Sequence, residues 1–426
     1  MKTVDNLINF FQANDALILG KGPSLNQNNY SKYKTDKVII GVNQVSAYFS
    51  VDISFFIDLE PLMDIQEEIL ATDSLVIMPW RPNEVSFLKT ISQPSLNNLL
   101  ELSSKFEIIK KLSESNRLFY FYNESSNEKK INFYPANLVS ISSLLQILSD
   151  LGFKNIYTLG VDGGSEYSTM TKNFTKTQLS NGYDKQFPIL KSLAVKNNIN
   201  FMKANSQEIN IYIGTEAQQG LARKVLEYSI LLNTTSKINF IDLANYSYLI
   251  PNEIKSKGRT PFSMQRFLIP KLNNYSGLAI YLDSDMLVFD DIEKLISARN
   301  VDVAVSSAKV KSNSNRLPQY SVMVIDCAKA KWNISDIDFN NKNYDSWMFD
   351  FDIEKSKDRC ISYKWNSLEL YEKDTKLLHF TDMDNQPWIS NQNKLSSLWI
   401  NHMIMAVKDN YITIDEIKMN VKKGWR

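Results

Sequence analysis

Two carboxylates, Asp283 and Asp285, lie within an otherwise apolar run, residues 281–289. Apolar residues on both sides predict a buried strand, where an ionised side chain is costly unless it has a partner. Residues at i and i+2 project to the same side of a strand, or converge where the strand ends. A divalent cation takes oxygen ligands and offsets clustered negative charge. The pattern therefore predicts a metal site in a transferase that uses an activated nucleotide-diphosphate donor, whereas Asp290 and Asp291 are better explained as helix caps.

Two further side chains are candidates for the same chemistry. Arg266 follows Thr260 and Pro261, a pair that predicts the start of a helix. Its guanidinium suits a phosphate or a donor sugar, with an ordinary surface arginine as the alternative. His379 is one of two histidines in the chain and follows an apolar strand pattern. Imidazole beside carboxylates is a ligand for manganese-class ions, although a lone histidine is more often structural.

Composition narrows the class of protein. The length of 426 residues indicates two or three domains, and 43% hydrophobic residues are ample for packed cores. A net charge of +1 without a long basic block gives no indication of a nucleic-acid partner. Cys327 and Cys360 have no metal-binding spacing, so neither a disulfide framework nor a thiolate zinc site is expected.

No segment has the pattern of a targeting or membrane-spanning sequence. The N-terminus lacks the hydrophobic core of a signal peptide, and no stretch reaches about 18 apolar residues. We therefore expect a cytoplasmic protein. The tail, residues 418–426, combines basic residues with Trp425, which leaves peripheral contact with the inner membrane as an alternative to a solvated end.

These residues have to be positioned by two blocks of alternating strand and helix patterns. In the first block, strands are predicted near residues 16–20, 37–41, 53–58, 74–78 and 155–162, with a helix over 140–151. In the second, strands are predicted near residues 209–214, 238–242, 278–282, 301–305, 321–326 and 377–380. This alternation is typical of an α/β protein. We predict two Rossmann-like domains, residues 1–205 with a doubly wound parallel sheet and residues 208–426.

The second block resembles the family 8 glycosyltransferases of the GT-A fold. The resemblance rests on three motifs in order: Ile211-Tyr-Ile-Gly-Thr-Glu216, Arg266 upstream of Leu282-Asp-Ser-Asp285, and His379-Phe-Thr381 before Pro387-Trp388. It implies a mixed sheet, Mn²⁺ (or Mg²⁺) held by Asp283, Asp285 and His379, a UDP-sugar donor, and transfer with retention. Arg266 and the two aspartates are then the catalytic residues. The implied donor contacts are Gly214, Thr215, Glu216, Arg266, Ser321, Gln386 and Trp388.

Three departures from the family pattern bear on the donor. Gln319-Tyr320-Ser321 replaces the family's Asn-Ala-Gly segment, and Asp345-Ser-Trp347 keeps one acid of its Asp-Gln-Asp motif. Gln386 stands where the closing motif often has lysine. The pocket around the sugar therefore differs, and the sequence does not predict which sugar is transferred.

The first block resembles the family 42 sialyltransferases and the related domain of motility-associated flagellin glycosylation factors. The matching pieces are Gly20-Lys-Gly-Pro-Ser24, Gly41-Val-Asn-Gln44, Ser140 before a helix, and the segment Leu151–Asp162. In that family these segments form a nucleotide pocket, typically for a CMP-sugar. The implied pocket residues are Gly20, Gly22, Ser24, Asn43, Ser140 and Asp162. A glycine loop at a strand end can cradle a phosphate with its amides, or be plain turn chemistry.

The general base of family 42 is a histidine, and residues 1–378 contain none. Tyr183 and Asp184 lie in the expected neighbourhood, but both would need a retuned pKa to act near neutral pH. Loss of sialyltransferase activity is therefore expected more than its retention.

Together these features predict a bacterial glycosyltransferase that transfers a hexose to a glycan or lipid-linked acceptor. Its second domain would be the catalyst, and its first would bind a nucleotide sugar. Two alternatives stay open: a bifunctional transferase with both domains active, and a non-catalytic nucleotide-sugar-binding or assembly protein.

Overall fold

A computed structural model describes most of the chain. It covers residues 1–12, 15–83, 97–123, 134, 140–162, 167–171, 182–256, 258–260, 262–312, 316–336, 344–390 and 392–422, without the side chains of 182–186. The chain forms two compact units, Met1–Ser206 and Gln207–Arg426.

The first unit is built on one eight-stranded sheet. Its strands are β1 (Lys2–Thr3), β2 (Asp15–Leu19), β3 (Val38–Val42), β4 (Ile53–Phe55), β5 (Leu75–Pro79), β6 (Leu118–Phe121), β7 (Asn155–Leu159) and β8 (Asn200–Lys203). Its α-helices are α1 (Gln27–Tyr33), α2 (Leu59–Asp64), α3 (Gln66–Leu70), α4 (Leu99–Ser103), α5 (Glu107–Glu114), α6 (Ser140–Asp150) and α7 (Gly182–Lys196). Short 3₁₀ helices cover Val4–Leu7 and Asn43–Ala47.

The order of the strands in this sheet is β1-β6-β5-β4-β3-β2-β7-β8, and neighbouring strands are parallel. The chain moves outward from β2 to β6 and then returns to the other side of β2 with β7. Along β2, Ala16 and Ile18 pack into one core while Leu17 and Leu19 pack into another, so both faces of the sheet are covered. The strand order reverses between β2 and β7, and ligands of open α/β sheets bind at the carboxyl ends of strands at such a point.

The second unit contains two sheets. The larger consists of β9 (Ile209–Gly214), β10 (Ile238–Asp242), β11 (Leu278–Asp283), β13 (Val305–Ala308), β14 (Val322–Asp326) and β15 (Lys357–Ile361). The smaller consists of β12 (Met286–Val288), β16 (Ser367–Leu368) and β17 (Leu377–His379). The α-helices are α8 (Gly220–Asn233), α9 (Asn252–Lys255), α10 (Ile269–Leu272), α11 (Glu293–Ser297), α12 (Ser396–Lys408) and α13 (Ile414–Lys422). Short helices of 3₁₀ or π type cover Ala217–Gln219, Leu243–Leu249, Gln265–Leu268, Ile334–Asp336, Ser346–Asp350 and Tyr363–Trp365.

The larger sheet is mixed, in the order β10-β9-β11-β14-β13-β15. Strand β11 is parallel to β9 and antiparallel to β14. Its side chains alternate between two cores: Ala279 and Tyr281 enter one, and Ile280 and Leu282 enter the other. Asp283 continues the face of Tyr281 because the side-chain period of a strand is two.

The predicted fold class is confirmed: both units are α/β, the first with a doubly wound parallel sheet and the second with the mixed sheet expected of a GT-A domain. None of the helices in the described ranges is both long and apolar enough to cross a membrane.

Two predicted elements were wrong. Residues 301–304 are a turn rather than a strand, because the amide of Asp302 donates to the side chain of Asn300 and strand β13 starts only at Val305. The helix expected at Thr260 begins five residues later, at Gln265. The reason is local: the Thr260 amide and hydroxyl both bond to the Ser263 hydroxyl, which closes a turn.

Candidate metal and donor site

The paired aspartates lie where β11 ends beside β9. Asp283 is the last residue of β11 and pairs with Gly214, the last residue of β9. The amide of Ser284 donates to the carbonyl of Gly214 at 3.0 Å, and Asp285 then leads into β12. Both carboxylates are buried. The turn therefore holds two acids inside the protein at the edge where the loop after β9 begins.

His379 reaches the aspartates through the smaller sheet. Strand β17 is antiparallel to β12, with His379 opposite Met286, and the amide of Phe380 donates to the carbonyl of Asp285 at 2.9 Å. The His379 Nε2 atom lies 3.1 Å from Asp285 Oδ1 and 4.0 Å from Asp283 Oδ2. One ligand atom from each of the three residues lies within 4.8 Å of the others. The pairing of β12 with β17 thus brings His379 next to two aspartates that lie about 95 residues earlier in the sequence.

The electrostatics of this cluster favour a bound cation. Burial, together with the charge of Asp285, raises the pKa of Asp283 against the opposing charge of Arg266. Burial disfavours the imidazolium, but Asp285 and Asp283 outweigh it and raise the pKa of His379. Asp285 Oδ1 has no other donor among the described residues. Without a proton on His379 Nε2, two lone pairs would face each other across 3.1 Å. A divalent cation satisfies both acids and the imidazole at once, so the residues present fit the implied metal.

Arg266 is a buried residue that contacts Asp283. Its Nη2 atom lies 3.3 Å from Asp283 Oδ1, its Nη1 donates to the carbonyl of Tyr320 at 2.7 Å, and its Nε donates to the carbonyl of Ser263 at 3.1 Å. The guanidinium also lies 4.6 Å from the centre of the Tyr281 ring. The surface alternative is therefore wrong, and the guanidinium compensates a carboxylate of the cluster.

Tyr281 and Gly214 act as a pair beneath Asp283. The Tyr281 hydroxyl donates to Asp283 Oδ1, and a methyl group on Gly214 would collide with that hydroxyl and with Cζ of the ring, 3.0 Å away. The absence of a side chain at Gly214 makes room for the tyrosine that holds the aspartate. Tyr281 was not predicted as a site residue, because its sequence context is that of an ordinary core residue. Its position two residues before Asp283, on the same face of the strand, was the signal for a contact with that aspartate.

On the other side of the cluster, buried amides hold the remaining ligands. Gln386 Nε2 donates to Asp285 Oδ2 at 3.0 Å and to the carbonyl of Phe380 at 3.1 Å. Asn366 lies between Ser321 and His379: its Nδ2 donates to Ser321 Oγ at 3.1 Å, and its Oδ1 lies 3.0 Å from His379 Nδ1. Gln386 and Ser321 thus belong to the cluster, and no local sequence signal identifies Asn366.

The predicted donor loop lies next to this cluster. The Thr215 amide donates to Gln265 Oε1 at 3.1 Å, and Gln265 Nε2 donates back to the Thr215 carbonyl at 2.9 Å. Glu216 follows and begins the next helical turn, and burial raises the pKa of its carboxyl. Gln265 was not predicted, yet it fixes the backbone of the loop that leaves β9.

Trp388 and Asp345, two residues of the predicted motifs, contact other residues of the second unit. Trp388 packs on Phe380 and Trp399, with ring centres 6.4 and 5.4 Å away, as part of an aromatic core. Asp345 forms an exposed ion pair with Arg259 at 2.9 Å. The acid retained from the family's Asp-Gln-Asp motif is therefore outside the cluster.

The two neighbouring acids also lie apart. Asp291 accepts from the amide of Glu293 at 3.1 Å, as expected near the start of α11. Asp290 pairs with Lys294 and Lys376 at 2.6 and 2.7 Å.

In the first unit, the predicted glycine loop closes against the end of β7. The Gly22 amide donates to the Gly160 carbonyl at 2.7 Å, and the Ser24 amide donates to Asp162 Oδ2 at 2.7 Å. A methyl group on Gly22 would lie 2.6 Å from Asp162 Oδ2, and one on Gly20 would collide with the Gly160 carbonyl. The glycines thus permit close packing at the switch point. A phosphate cradle built from the Gly22 and Ser24 amides is unavailable in this arrangement.

Other polar groups follow the strands at the same sheet edge. Asn43 follows β3 with a φ of 58°, and its buried Oδ1 accepts no hydrogen bond among the described residues. Lys21 follows β2, and burial lowers the pKa of its ammonium to about 8 although Asp64 and Asp58 oppose the shift. Asp58 follows β4, and burial raises the pKa of its carboxyl.

Ser140 is the first residue of α6 and takes no part in the hydrogen bonds that join the glycine loop to Asp162. Tyr183 and Asp184 lie in α7, but their side chains are outside the described part of the chain.

No protein-family model matches the chain. Protein CDI of Arabidopsis thaliana is 23% identical over 250 residues, which is 50% of this chain and 93% of that protein. The glycosyltransferase GlyE of Streptococcus pneumoniae TIGR4 aligns with 48% of this chain and 63% of its own, at 16% identity and a TM-score of 0.35. The chain thus accounts for less than two thirds of GlyE.

The bifunctional glycosyltransferase WbbM aligns with 96% of this chain and 99% of its own, at 11% identity and a TM-score of 0.36. Both of these solved structures are glycosyltransferases. Because both TM-scores lie below 0.5, the superpositions are loose, and we base the function of this chain on its own residues.

Proposed function

We propose that residues 207–426 form a metal-dependent, retaining glycosyltransferase of the family 8 type. Its donor would be a nucleotide-diphosphate hexose, with UDP as the expected nucleotide, and its acceptor a glycan or a lipid-linked glycan. The observation that carries the proposal is the buried cluster of Asp283, Asp285 and His379 beside the end of β9. Burying two acids and an imidazole together is costly without a cation, so the cluster is better explained by function than by stability.

The surrounding residues supply the conditions for that chemistry. Mn²⁺ (or Mg²⁺) bound by the cluster would hold the two donor phosphates and neutralise the leaving diphosphate. Arg266 and Tyr281 fix Asp283 from one side, and Gln386 fixes Asp285 from the other. The ligands are therefore preorganised, which lowers the cost of arranging charge in the transition state.

The donor would lie over the loop that leaves β9. Thr215 is held by Gln265, so the backbone from Gly214 to Glu216 is fixed beside Asp283. Ser321 joins the His379 side of the cluster, where the family has a different segment. A hydroxyl at this place changes the floor under the sugar, and we therefore leave the identity of the hexose open.

The test uses the full chain, Mn²⁺ and a panel of nucleotide sugars, with Asp285→Asn as the site variant and Asp290→Asn as the control. We expect one donor to be consumed by the wild type and the control at similar rates, and at least about 100-fold more slowly by Asp285→Asn. Proton NMR of the product should show the anomeric configuration of the donor. No consumption of any donor, together with unchanged nucleotide binding in Asp285→Asn, would instead favour the non-catalytic alternative.

For the first unit we propose nucleotide binding at the switch point between β2 and β7, as in the family 42 resemblance. The supporting observation is that the buried Oδ1 of Asn43 has no hydrogen-bond partner among the described residues, and that Lys21 offers a largely buried ammonium at the same edge. Unsatisfied buried polar groups in a structure call for a ligand or water. CMP, the expected nucleotide, would bring a phosphate to Lys21.

Calorimetric titration of the full chain with CMP and with UDP separates the two sites. Lys21→Met should weaken CMP binding about tenfold or more and leave Mn²⁺–UDP binding unchanged, and Asp285→Asn should do the reverse. Absence of saturable CMP or UDP binding in the Asp285→Asn protein would remove the nucleotide site from the first unit. Two productive sites would support the bifunctional alternative.

We further propose a cytoplasmic protein that contacts the inner membrane peripherally through α13. On this helix Ile414, Met419 and Val421 are exposed beside Lys418 and Lys422. Co-sedimentation with anionic vesicles but not with neutral ones would support this location, and no sedimentation with either would exclude it.

A further inference from the structure

Asn366 is a buried residue that contacts the side of His379 facing away from the aspartates. It follows the 3₁₀ turn Tyr363–Trp365, and its backbone amide donates to the Tyr363 carbonyl at 2.9 Å. Its Oδ1 lies 3.0 Å from His379 Nδ1. The Nδ2 atom of the same side chain donates to the hydroxyl oxygen of Ser321 at 3.1 Å. The side chain thereby bridges the Ser321 hydroxyl and the imidazole, with its oxygen toward the ring.

The two ring nitrogens of His379 therefore have different surroundings. An amide oxygen only accepts hydrogen bonds, so the atom that faces Asn366 Oδ1 has to carry a proton. Nε2 faces Asp285 Oδ1 at 3.1 Å and Asp283 Oδ2 at 4.0 Å. An imidazole binds a metal only through a nitrogen with a free lone pair, and the hydrogen bond at the other nitrogen sets which one that is.

We propose that Asn366 is a positioning residue that keeps the proton of His379 on Nδ1 and so leaves Nε2 free to bind a divalent cation with Asp283 and Asp285. This inference deepens the proposed function, because it rests on the same cluster binding a cation. With the proton on Nε2 instead, an N–H would point at the carboxylates and occupy the place of the cation.

Asn366 is a neutral residue, and this affects the net charge of the site. The two aspartates and Arg266 sum to −1, and a divalent cation brings the site to +1 while the imidazole stays neutral. A net positive charge favours the binding of a diphosphate donor, which is an anion. An aspartate at position 366 would accept the same Nδ1 proton but would lower the charge of the site to zero.

Isotope labelling makes the test direct because the chain has two histidines, His379 and His402. The full chain is labelled with ¹⁵N-histidine, assigned with His402→Gln, and loaded with Cd²⁺ as a diamagnetic probe. We expect Nδ1 of His379 to carry a proton and Nε2 to shift on addition of Cd²⁺. Binding of Cd²⁺ through Nδ1, a proton on Nε2 of the loaded protein, or no binding at all would overturn the inference.

Two variants test the role of the amide itself. Asn366→Leu should give a mixture of the two tautomers and weaken Mn²⁺ binding by about 10- to 100-fold. Asn366→Asp should restore the Nδ1-protonated tautomer and bring Mn²⁺ affinity to within about threefold of the wild type, while weakening the binding of UDP with Mn²⁺. Equal tautomer ratios and equal Mn²⁺ affinities in the leucine and aspartate variants would contradict the proposed role.

A matched control separates positioning from stability. Asn273 is also buried in the second unit, where its Oδ1 accepts from Asn210 Nδ2 and the Tyr212 hydroxyl. Asn273→Leu should lower stability but leave the His379 tautomer and Mn²⁺ affinity unchanged. If cation binding follows these expectations and no sugar is transferred, the proposed function fails alone; if transfer occurs with the other tautomer, this inference fails alone.

Discussion

Asp285→Asn should uncouple the stability of the second unit from divalent metal. The ligand atoms of Asp283, Asp285 and His379 lie within 4.8 Å of one another, so two ionised carboxylates at that separation repel by about 3.5 kcal/mol at an effective dielectric constant of 20. The substitution removes that repulsion, and it also removes the charge-assisted bond from Gln386, which contributes about 2 kcal/mol. In the presence of a chelator, the variant should therefore unfold within about 2 kcal/mol of the wild type.

Addition of metal should separate the two proteins. At a Mn²⁺ concentration of 100 times its Kd, the wild type gains about 2.7 kcal/mol, which raises the Tm of a unit of this size by about 5–11 °C. With affinity lowered 100-fold, the variant gains about 0.4 kcal/mol and about 1 °C.

Tryptophan fluorescence is a suitable probe for this melt, because of the 7 tryptophans only Trp80 precedes residue 207. Asp290→Asn is the control, since Asp290 pairs with Lys294 and Lys376 outside the cluster, and it should keep the full metal-dependent gain. An equal gain in Asp285→Asn, or none in the wild type, would refute the assignment of this cluster as a metal site.

Three further predictions concern the packing and charge of the two sites. Gly214→Ala should push the Tyr281 hydroxyl off Asp283 and cost about 1–3 kcal/mol; adding Tyr281→Phe should recover part of that loss, and additive effects in urea unfolding would contradict the contact. Arg266→Met should destabilise the metal-free second unit by about 3–5 kcal/mol because it leaves Asp283 buried without the guanidinium that compensates its charge. Mn²⁺ should reduce this loss, and a melting temperature equal to that of the wild type would contradict the prediction. Lys21→Met should stabilise the first unit at pH 7 by up to about 3 kcal/mol, since lowering the pKa from 10.5 to about 8 disfavours the charged form in the fold. Wild-type stability should therefore rise between about pH 8 and pH 10.5, where the unfolded chain binds the extra proton. Hydrogen exchange of the amides in β2 measures this rise. Its absence in the wild type, or its presence in Lys21→Met, would contradict the lowered pKa of Lys21.

Much of the fold was predictable because local patterns and burial agree. Apolar runs ending at glycine predicted β2 and β9, since a parallel strand is buried on both faces and needs close packing where it ends. The failures at residues 301–304 and Thr260 are places where side-chain hydrogen bonds to the backbone close a turn. Hydrophobic periodicity does not predict such hydrogen bonds, because it depends only on the spacing of apolar residues.

The sequence by itself determined which chemical groups the second unit brings to its centre: the Asp283 and Asp285 pair, Arg266 and His379. Their types and order were enough to predict a cation site. Only the tertiary structure decided how those groups are used. It turned Arg266 inward against Asp283, placed Tyr281 over Gly214, and set Asn366 behind His379. These contacts join residues far apart in the chain or depend on the depth of a core, and neither is recorded in local spacing. In the first unit, likewise, the glycine motif was recognisable in the sequence. Only the packing of β2 against β7 showed that the Gly22 and Ser24 amides already donate within the protein, while Asn43 keeps a buried oxygen without a partner among the described residues.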